Sequence, residues 1–155
     1  MPSVLERAHI ADTDARMRVR IHELATAIAG ILSWLLVAAI TALSILPAEF
    51  RPVTPAPSFL EHFTVFLLTG MAFCFGYQDR KVVVSAFLPL FAGIIEFAQL
   101  WIPERHSRLS DLLVNIAGAL IGIATIAFIS KLWPILAGSV VPRLVALFAM
   151  RAQRS

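Results

Sequence analysis

Charged residues are scarce in this sequence. Only 15% of its 155 residues are Asp, Glu, Lys or Arg, whereas an ordinary soluble domain carries about 25%. Apolar residues make up 59% of the chain, and the mean hydropathy is +0.82. A chain of this composition cannot cover itself with polar surface in water. The composition therefore excludes an ordinary soluble protein and predicts one that faces lipid.

Cysteine is nearly absent, and the short motifs that mark common active sites are absent. The single cysteine, Cys74, lies within an apolar run, so no internal disulfide can form. The sequence contains no nucleophile elbow, no metal-ligand spacing and no phosphate-binding loop. We therefore expect no metal ion and no other cofactor.

The chain also lacks a basic stripe, although its net charge is +3. Its Lys and Arg residues lie at the ends of apolar segments, which is typical of membrane proteins and not of proteins that bind nucleic acid. The expected partners are membrane lipids, and no nucleic acid is expected.

Four segments are long and apolar enough to cross a bilayer, whose hydrocarbon core is about 30 Å thick. The connections between them are short, which predicts antiparallel neighbours. The predicted fold is therefore an all-α, polytopic membrane protein with an up-down bundle of four transmembrane helices. The first segment is too long for a cleaved signal peptide, so we expect it to be retained. The segments are residues 25–46, 59–77, 82–102 and 109–129.

The predicted organisation has three parts. Residues 1–24 form an N-terminal tail with a helix lead-in, residues 25–130 form the transmembrane domain, and residues 131–155 form a C-terminal segment. Within the last of these, residues 135–150 are apolar but interrupted by Gly138, Pro142 and Arg143. A fifth span would bury Arg143 at a cost of roughly 2.5–3.5 kcal/mol. We therefore expect a C-terminal amphipathic helix in the membrane interface, with re-entry into the membrane as the alternative.

Orientation follows from the distribution of Lys and Arg. The N-terminal tail, the second loop and the C-terminal segment lie on one side of the predicted bundle and carry ten of these residues. The first and third loops lie on the other side and carry three, namely Arg51, Arg105 and Arg108. Because the basic side of a membrane protein is cytoplasmic, both termini are predicted to be cytoplasmic and the first and third loops to face outward.

Given this topology, polar residues from three helices converge near the outer surface. Glu96 and Gln99 are three residues apart on one face near the end of the third helix. An ionised Glu96 facing lipid would be costly, so it should face into the bundle and find a partner or stay protonated. The candidate ligand-binding residues are His62, Glu96, Gln99, Arg105, Arg108, Asp111 and Asn115.

On the fourth helix, Asp111 and Asn115 share one face with two glycines. Asp111, Asn115, Gly118 and Gly122 recur at intervals of four, three and four, so they lie on one face. Glycines on such a face let another backbone approach closely. We expect this role for Gly118 and Gly122, and for Gly93 on the face of Glu96.

Each polar residue also has a structural explanation that stays open. Asp111 could cap the fourth helix or interact with its dipole. Gln99 and Asn115 could hold helices together by hydrogen bonds, and His62 could be an interfacial residue. Trp34 and the phenylalanines of the second segment are interpreted as packing residues.

At these residues the sequence resembles the VanZ-like family of bacterial membrane proteins. The family often has an Asp-Lys pair shortly before the histidine, but Ser58 and Phe59 stand there in this chain, which puts any role of that pair in doubt. The resemblance implies a location in the bacterial plasma membrane and a relationship to resistance against lipophilic glycopeptide antibiotics such as teicoplanin. It rests on His62-Phe63, Glu96-x-x-Gln99, the loop Pro103-Glu104-Arg105-His106-Ser107-Arg108, Ser110-Asp111 and Asn115-x-x-Gly118-x-x-x-Gly122.

Several functions fit these residues. The first is binding or shielding of an amphiphilic envelope ligand, such as a lipid head group, a lipid-linked precursor or a lipoglycopeptide. The second is an enzyme that modifies a lipid-linked substrate, with Glu96 or His62 as the general base; whether the chain is an enzyme stays open. A purely structural role is a third hypothesis. A transporter is less well supported because no acid or base lies in the inner half of the bundle.

Overall fold

The structure is a computed structural model of the chain, and it describes residues 4–46, 55, 57–101 and 109–139. In these residues the chain forms four α-helices and a short 3-10 turn, with no strand. All four α-helices are long and apolar enough to cross a membrane. The predicted all-α fold with four spanning helices is therefore confirmed. The helices are α1 (Val4–Ile45), α2 (Ser58–Gly76), α3 (Lys81–Gln99) and α4 (Leu109–Ser139), and the turn is Gln78–Arg80.

α1 is much longer than the predicted span. Its 42 residues extend about 63 Å at 1.5 Å per residue, about twice the thickness of the hydrocarbon core. Residues 4–24, predicted as a tail with a helix lead-in, belong to this same helix. They contain no proline and no glycine, so nothing in them interrupts the backbone hydrogen bonds.

α4 continues past its predicted end at residue 129 and reaches Ser139. Lys131 ends the apolar window, but a charge does not end a helix. Pro134 lies inside α4, and membrane helices tolerate an interior proline because neighbouring groups satisfy the freed carbonyl. Residues 135–139 of the expected interfacial helix are thus continuous with α4, and its remaining residues lie outside the described part of the chain. Its position in the membrane interface stays a prediction.

Contacts between helices show that neighbours in sequence run in opposite directions. Lys81 Nζ donates a hydrogen bond to Ser130 Oγ at 3.5 Å, which places the start of α3 beside the C-terminal half of α4. His22 and Gln78 are joined by a side-chain contact of 3.4 Å, which places the end of α2 beside the first half of α1. The bundle therefore has the predicted up-down arrangement.

α2 and α4 run parallel and form the most extensive helix pair in the described residues. The core lies between them and the inner face of α3, and Ile40 contributes from α1. Many large apolar side chains lie on the outside of the bundle, for example Val82 and Leu90. Such exposure is expected where the surrounding solvent is hydrocarbon.

Candidate functional site

The core-facing stripe of α3 ends in two polar residues. Buried residues recur along α3 every one to four positions, at Val84, Leu88, Ala92, Ile95, Glu96 and Gln99. Glu96 and Gln99 are each only 6% exposed. Because they continue the apolar stripe, their side chains point into the bundle and not toward lipid.

The core-facing stripe of α4 begins with a polar residue. Asn115 is 1% exposed, and buried small or apolar residues follow it at Gly118 and Ala119. Asp111, one turn before Asn115, is half-buried and accepts a hydrogen bond of 3.3 Å from Ser110 Oγ. The first two turns of α4 thus bring a carboxylate and a buried amide to the same end of the bundle as Glu96.

The registers of the helices place these residues at one level. Lys81 on α3 contacts Ser130 on α4. The sequence separation from Lys81 to Glu96 equals the separation from Ser130 back to Asn115. Since both helices rise about 1.5 Å per residue, Glu96 and Asn115 lie at about the same height. We call this the Glu96 end of the bundle, and the opposite end, with the turn Gln78–Arg80, the Arg80 end.

α2 brings His62 to the same level. Gly118 of α4 lies between Phe63 and Leu67 of α2, so Asn115, three residues earlier on a parallel helix, lies beside the turn that contains His62. His62 is half-buried there, whereas the neighbouring Glu61 is exposed. The structure therefore brings His62, Glu96, Gln99, Asp111 and Asn115 to one end of the bundle.

The buried amides have incomplete hydrogen bonding. Gln99 Nε2 and Asn115 Oδ1 are buried and have no hydrogen-bond partner among the described residues. Burying such a group without a partner costs about 1–3 kcal/mol. Two polar groups of this kind beside a buried carboxylate can bond to a ligand that brings donors and acceptors of its own.

The two predicted cationic partners of this site, Arg105 and Arg108, lie outside the described residues. Among the residues that the structure does describe, no group of three His, Cys, Asp or Glu side chains is arranged to hold a metal ion. The described part of the site consists of one buried carboxylate, two buried amides, a half-buried imidazole and a half-buried carboxylate.

Glycines set the distance between the two helices that frame the site. A Cβ atom built on Gly118 would lie 2.6 Å from the carbonyl oxygen of Phe63, and one on Gly122 would overlap with the carbonyl oxygen of Leu67. Both glycines thus allow the backbones of α2 and α4 to touch. At Gly93, by contrast, a Cβ atom would meet no atom of the described residues within 4 Å, so no close contact among these residues requires a glycine there. The expected packing role of Gly93 stays a prediction.

A second group of contacting side chains, which the sequence pattern did not predict, lies at the Arg80 end. Trp34 Nε1 donates a hydrogen bond of 2.9 Å to the hydroxyl of Tyr77, and Phe73 and Phe87 pack against the indole with ring centroids 5.4 and 5.8 Å away. The sequence pattern indicates only a packing role for Trp34, without this hydrogen bond. The available signal was Tyr77, the single tyrosine of the chain, at the point where α2 meets the polar turn.

Comparison with known proteins places the chain in a family. Neither a curated protein nor a solved structure matches it. The sequence model of the VanZ/LLP1 family matches residues 37–130. This range is more than half of the chain, and it contains every residue of the candidate site. The chain is a multi-pass membrane protein that belongs to the VanZ/LLP1 family.

Proposed function

We propose that this protein binds the polar head of an amphiphilic cell-envelope ligand at the Glu96 end of its bundle and shields that head group. One observation carries the proposal: Glu96, Gln99 and Asn115 are each more than nine-tenths buried at one level of a membrane bundle. Polar side chains inside a membrane are costly and usually mark a functional pathway or site.

The chemistry of the site suits a polar head group rich in hydroxyl and amide groups. The Gln99 and Asn115 amides can each donate and accept hydrogen bonds, and Glu96 and Asp111 can accept them. Arg105 and Arg108, which follow α3 directly in the sequence, would supply the planar donors that phosphate and carboxylate groups prefer. The apolar outer faces of the helices would accompany the lipid tail.

The distribution of Lys and Arg favours an outward Glu96 end. Arg80 and Lys81 at the opposite end, together with the basic residues of α1, belong to the side with the larger positive charge, which is cytoplasmic in membrane proteins. The ligand would then enter from the outer leaflet of the plasma membrane. A lipid-tailed glycopeptide such as teicoplanin, suggested by the resemblance to VanZ-like proteins, is a suitable probe.

The test compares Glu96→Gln with Glu61→Gln. Both variants remove one carboxylate at the Glu96 end, but Glu61 is exposed and Glu96 is buried. The full chain is expressed in a teicoplanin-sensitive bacterium at matched protein level, and binding of fluorescently labelled teicoplanin is measured for the purified protein in nanodiscs. We expect wild type and Glu61→Gln to raise the inhibitory concentration of teicoplanin and to bind the probe. Glu96→Gln should bind the probe about tenfold more weakly, because it loses one charged hydrogen bond of about 1.4 kcal/mol or more. It should also no longer raise the inhibitory concentration.

Two outcomes would contradict the proposal. Equal probe binding by wild type and Glu96→Gln would show that the buried carboxylate of Glu96 does not take part in binding. An envelope-lipid profile that changes with expression of the wild type, and not with Glu96→Gln, would instead indicate the alternative function, an enzyme that uses Glu96 on a lipid-linked substrate.

A further inference from the structure

A groove at the Arg80 end of the bundle lies away from the Glu96 end. Its volume is about 230 Å³, and it is lined by residues of α1, α2, the polar turn and α3. These residues are Trp34, Phe73, Tyr77, Arg80, Val83, Val84 and Phe87. All but Arg80 present mainly apolar surface, and Arg80 is the one charged residue among them.

Four aromatic rings form the wall of the groove as one packed cluster. Besides the contacts of Trp34 with Phe73 and Phe87, Phe73 packs against Phe87 with centroids 5.6 Å apart and stacks on Tyr77 at 5.8 Å. The rings hold one another in place, so the groove is preformed. An apolar chain could lie against them with little loss of side-chain entropy.

The groove opens sideways to the lipid. Two of its lining residues on different helices, Trp34 on α1 and Val83 on α3, are 50% and 63% exposed. α1 and α3 make few contacts with each other, whereas α1 packs closely on α2. The close approach is set by Gly76, where a Cβ atom would lie 2.6 Å from the backbone nitrogen of Gly30. α1 is thus held against α2 and leaves the space beside α3 accessible.

Arg80 supplies a positive charge at the polar end of the groove. It is exposed on the turn Gln78–Arg80, at the level where a spanning helix meets the lipid head groups. Lys81 directs its ammonium group to Ser130 on α4, and Asp79 does not line the groove. The Tyr77 hydroxyl accepts a bond from Trp34 and can still donate its own proton.

From this arrangement we infer a specific site for an anionic phospholipid: one acyl chain lies against the Trp34, Phe73 and Phe87 rings, and the phosphate interacts with Arg80. A guanidinium group binds phosphate through paired hydrogen bonds, and basic residues beside membrane helices select anionic lipids. The groove is separate from the Glu96 end, so this site stands or falls independently of the proposed function.

The test uses the fluorescence of Trp34 in the full chain. Trp34 is one of three tryptophans, and Trp101→Phe with Trp133→Phe leaves it as the single tryptophan, which is excited selectively at a wavelength that tyrosine does not absorb. The protein is placed in phosphatidylcholine nanodiscs that contain increasing fractions of either brominated phosphatidylglycerol or brominated phosphatidylcholine, since bromine quenches a tryptophan that it touches. We expect quenching by brominated phosphatidylglycerol to saturate at an about fivefold lower lipid fraction than quenching by brominated phosphatidylcholine. This is the preference for anionic lipid that one basic residue near a membrane surface supplies.

Adjacent residues provide the matched control. Arg80→Gln should reduce the preference to that of phosphatidylcholine, whereas Lys81→Gln, which removes the same charge one residue away, should keep it. Arg80→Lys should retain part of the preference and shows that the turn still folds. Equal quenching by the two lipids, or a preference that survives Arg80→Gln, would overturn the site. No quenching by either lipid would also overturn it and would show that a protein segment or a second copy covers the groove.

Discussion

Gly118 on α4 packs directly against the backbone of Phe63 on α2. A Cβ atom on residue 118 would lie 2.6 Å from the carbonyl oxygen of Phe63. Real Cβ atoms do not approach other atoms so closely, so the two backbones can meet only because residue 118 is glycine. Gly122 repeats the contact one turn further along α4, against Leu67. This parallel helix pair holds the turn with His62 beside Asn115.

The first prediction concerns this contact. Gly122→Ala should destabilise the protein by about 1–3 kcal/mol, because the added methyl group meets backbone atoms that cannot move aside without separating the helices. Gly93→Ala is the matched control. Its Cβ atom enters open space among the described residues, and alanine favours a helix, so this variant should be neutral or slightly stabilising. Thermal unfolding in detergent measures both variants, and equal transition temperatures would contradict the prediction.

A second prediction separates stability from function at Asn115. Asn115→Leu keeps the branched shape of the side chain and removes a buried amide whose Oδ1 atom has no hydrogen-bond partner among the described residues. The variant should therefore be as stable as the wild type, or more stable by about 1 kcal/mol, while binding of the teicoplanin probe falls. Thermal unfolding and probe binding are measured on the same sample. A large loss of stability would show that Asn115 holds the helices together.

The third prediction tests which way the bundle faces. Glu61 and Asp79 are both exposed and lie at opposite ends of α2 and its following turn, and the native Cys74 is fully buried. In a Cys74→Ala background, Glu61→Cys should react with a membrane-impermeant maleimide in intact spheroplasts, and Asp79→Cys only after lysis. The reverse labelling would place the Glu96 end in the cytoplasm and would contradict an outer-leaflet ligand.

The fourth prediction concerns the hydrogen bond between Trp34 and Tyr77. Tyr77→Phe keeps the ring contacts of the aromatic cluster and removes the acceptor of the indole N–H, so it should destabilise the protein by about 0.6 kcal/mol, the average for polar contacts between membrane helices. A double-mutant cycle with Trp34→Phe isolates this bond. A coupling energy indistinguishable from zero would show that the hydrogen bond does not contribute to stability.

The spans were predictable because lipid imposes a simple rule. Backbone groups in hydrocarbon must be satisfied within the segment, so each long apolar run forms a helix. The starts of α2, α3 and α4 accordingly fall within one residue of their predicted positions. The start of α1 and the end of α4 were less predictable, because a helix can continue past the apolar segment that crosses the membrane. α1 begins at Val4, well before its predicted span, and α4 continues to Ser139.

The described part of the candidate site was predictable for a related reason. Glu96 and Asn115 lie on helical faces with small or apolar neighbours, and a carboxylate or amide in a membrane helix is far less costly when it faces other helices. The aromatic cluster at the Arg80 end was not predictable in this way. A tryptophan or phenylalanine in a membrane helix is equally acceptable against lipid and against protein, so its environment leaves no trace in the pattern.

The sequence by itself determined that this protein lies in a membrane, that it has four spanning helices in alternating directions, and that the buried residues Glu96, Gln99 and Asn115 gather at one end. These properties follow from hydropathy, segment length and the cost of polar groups in hydrocarbon. Only the tertiary structure decided that Gly118 and Gly122 meet α2, that Gly93 meets no close neighbour in the described helices, and that Trp34 reaches Tyr77. A periodic pattern identifies the face of a helix that packs, but the partner is chosen by how the shapes of several helices fit together.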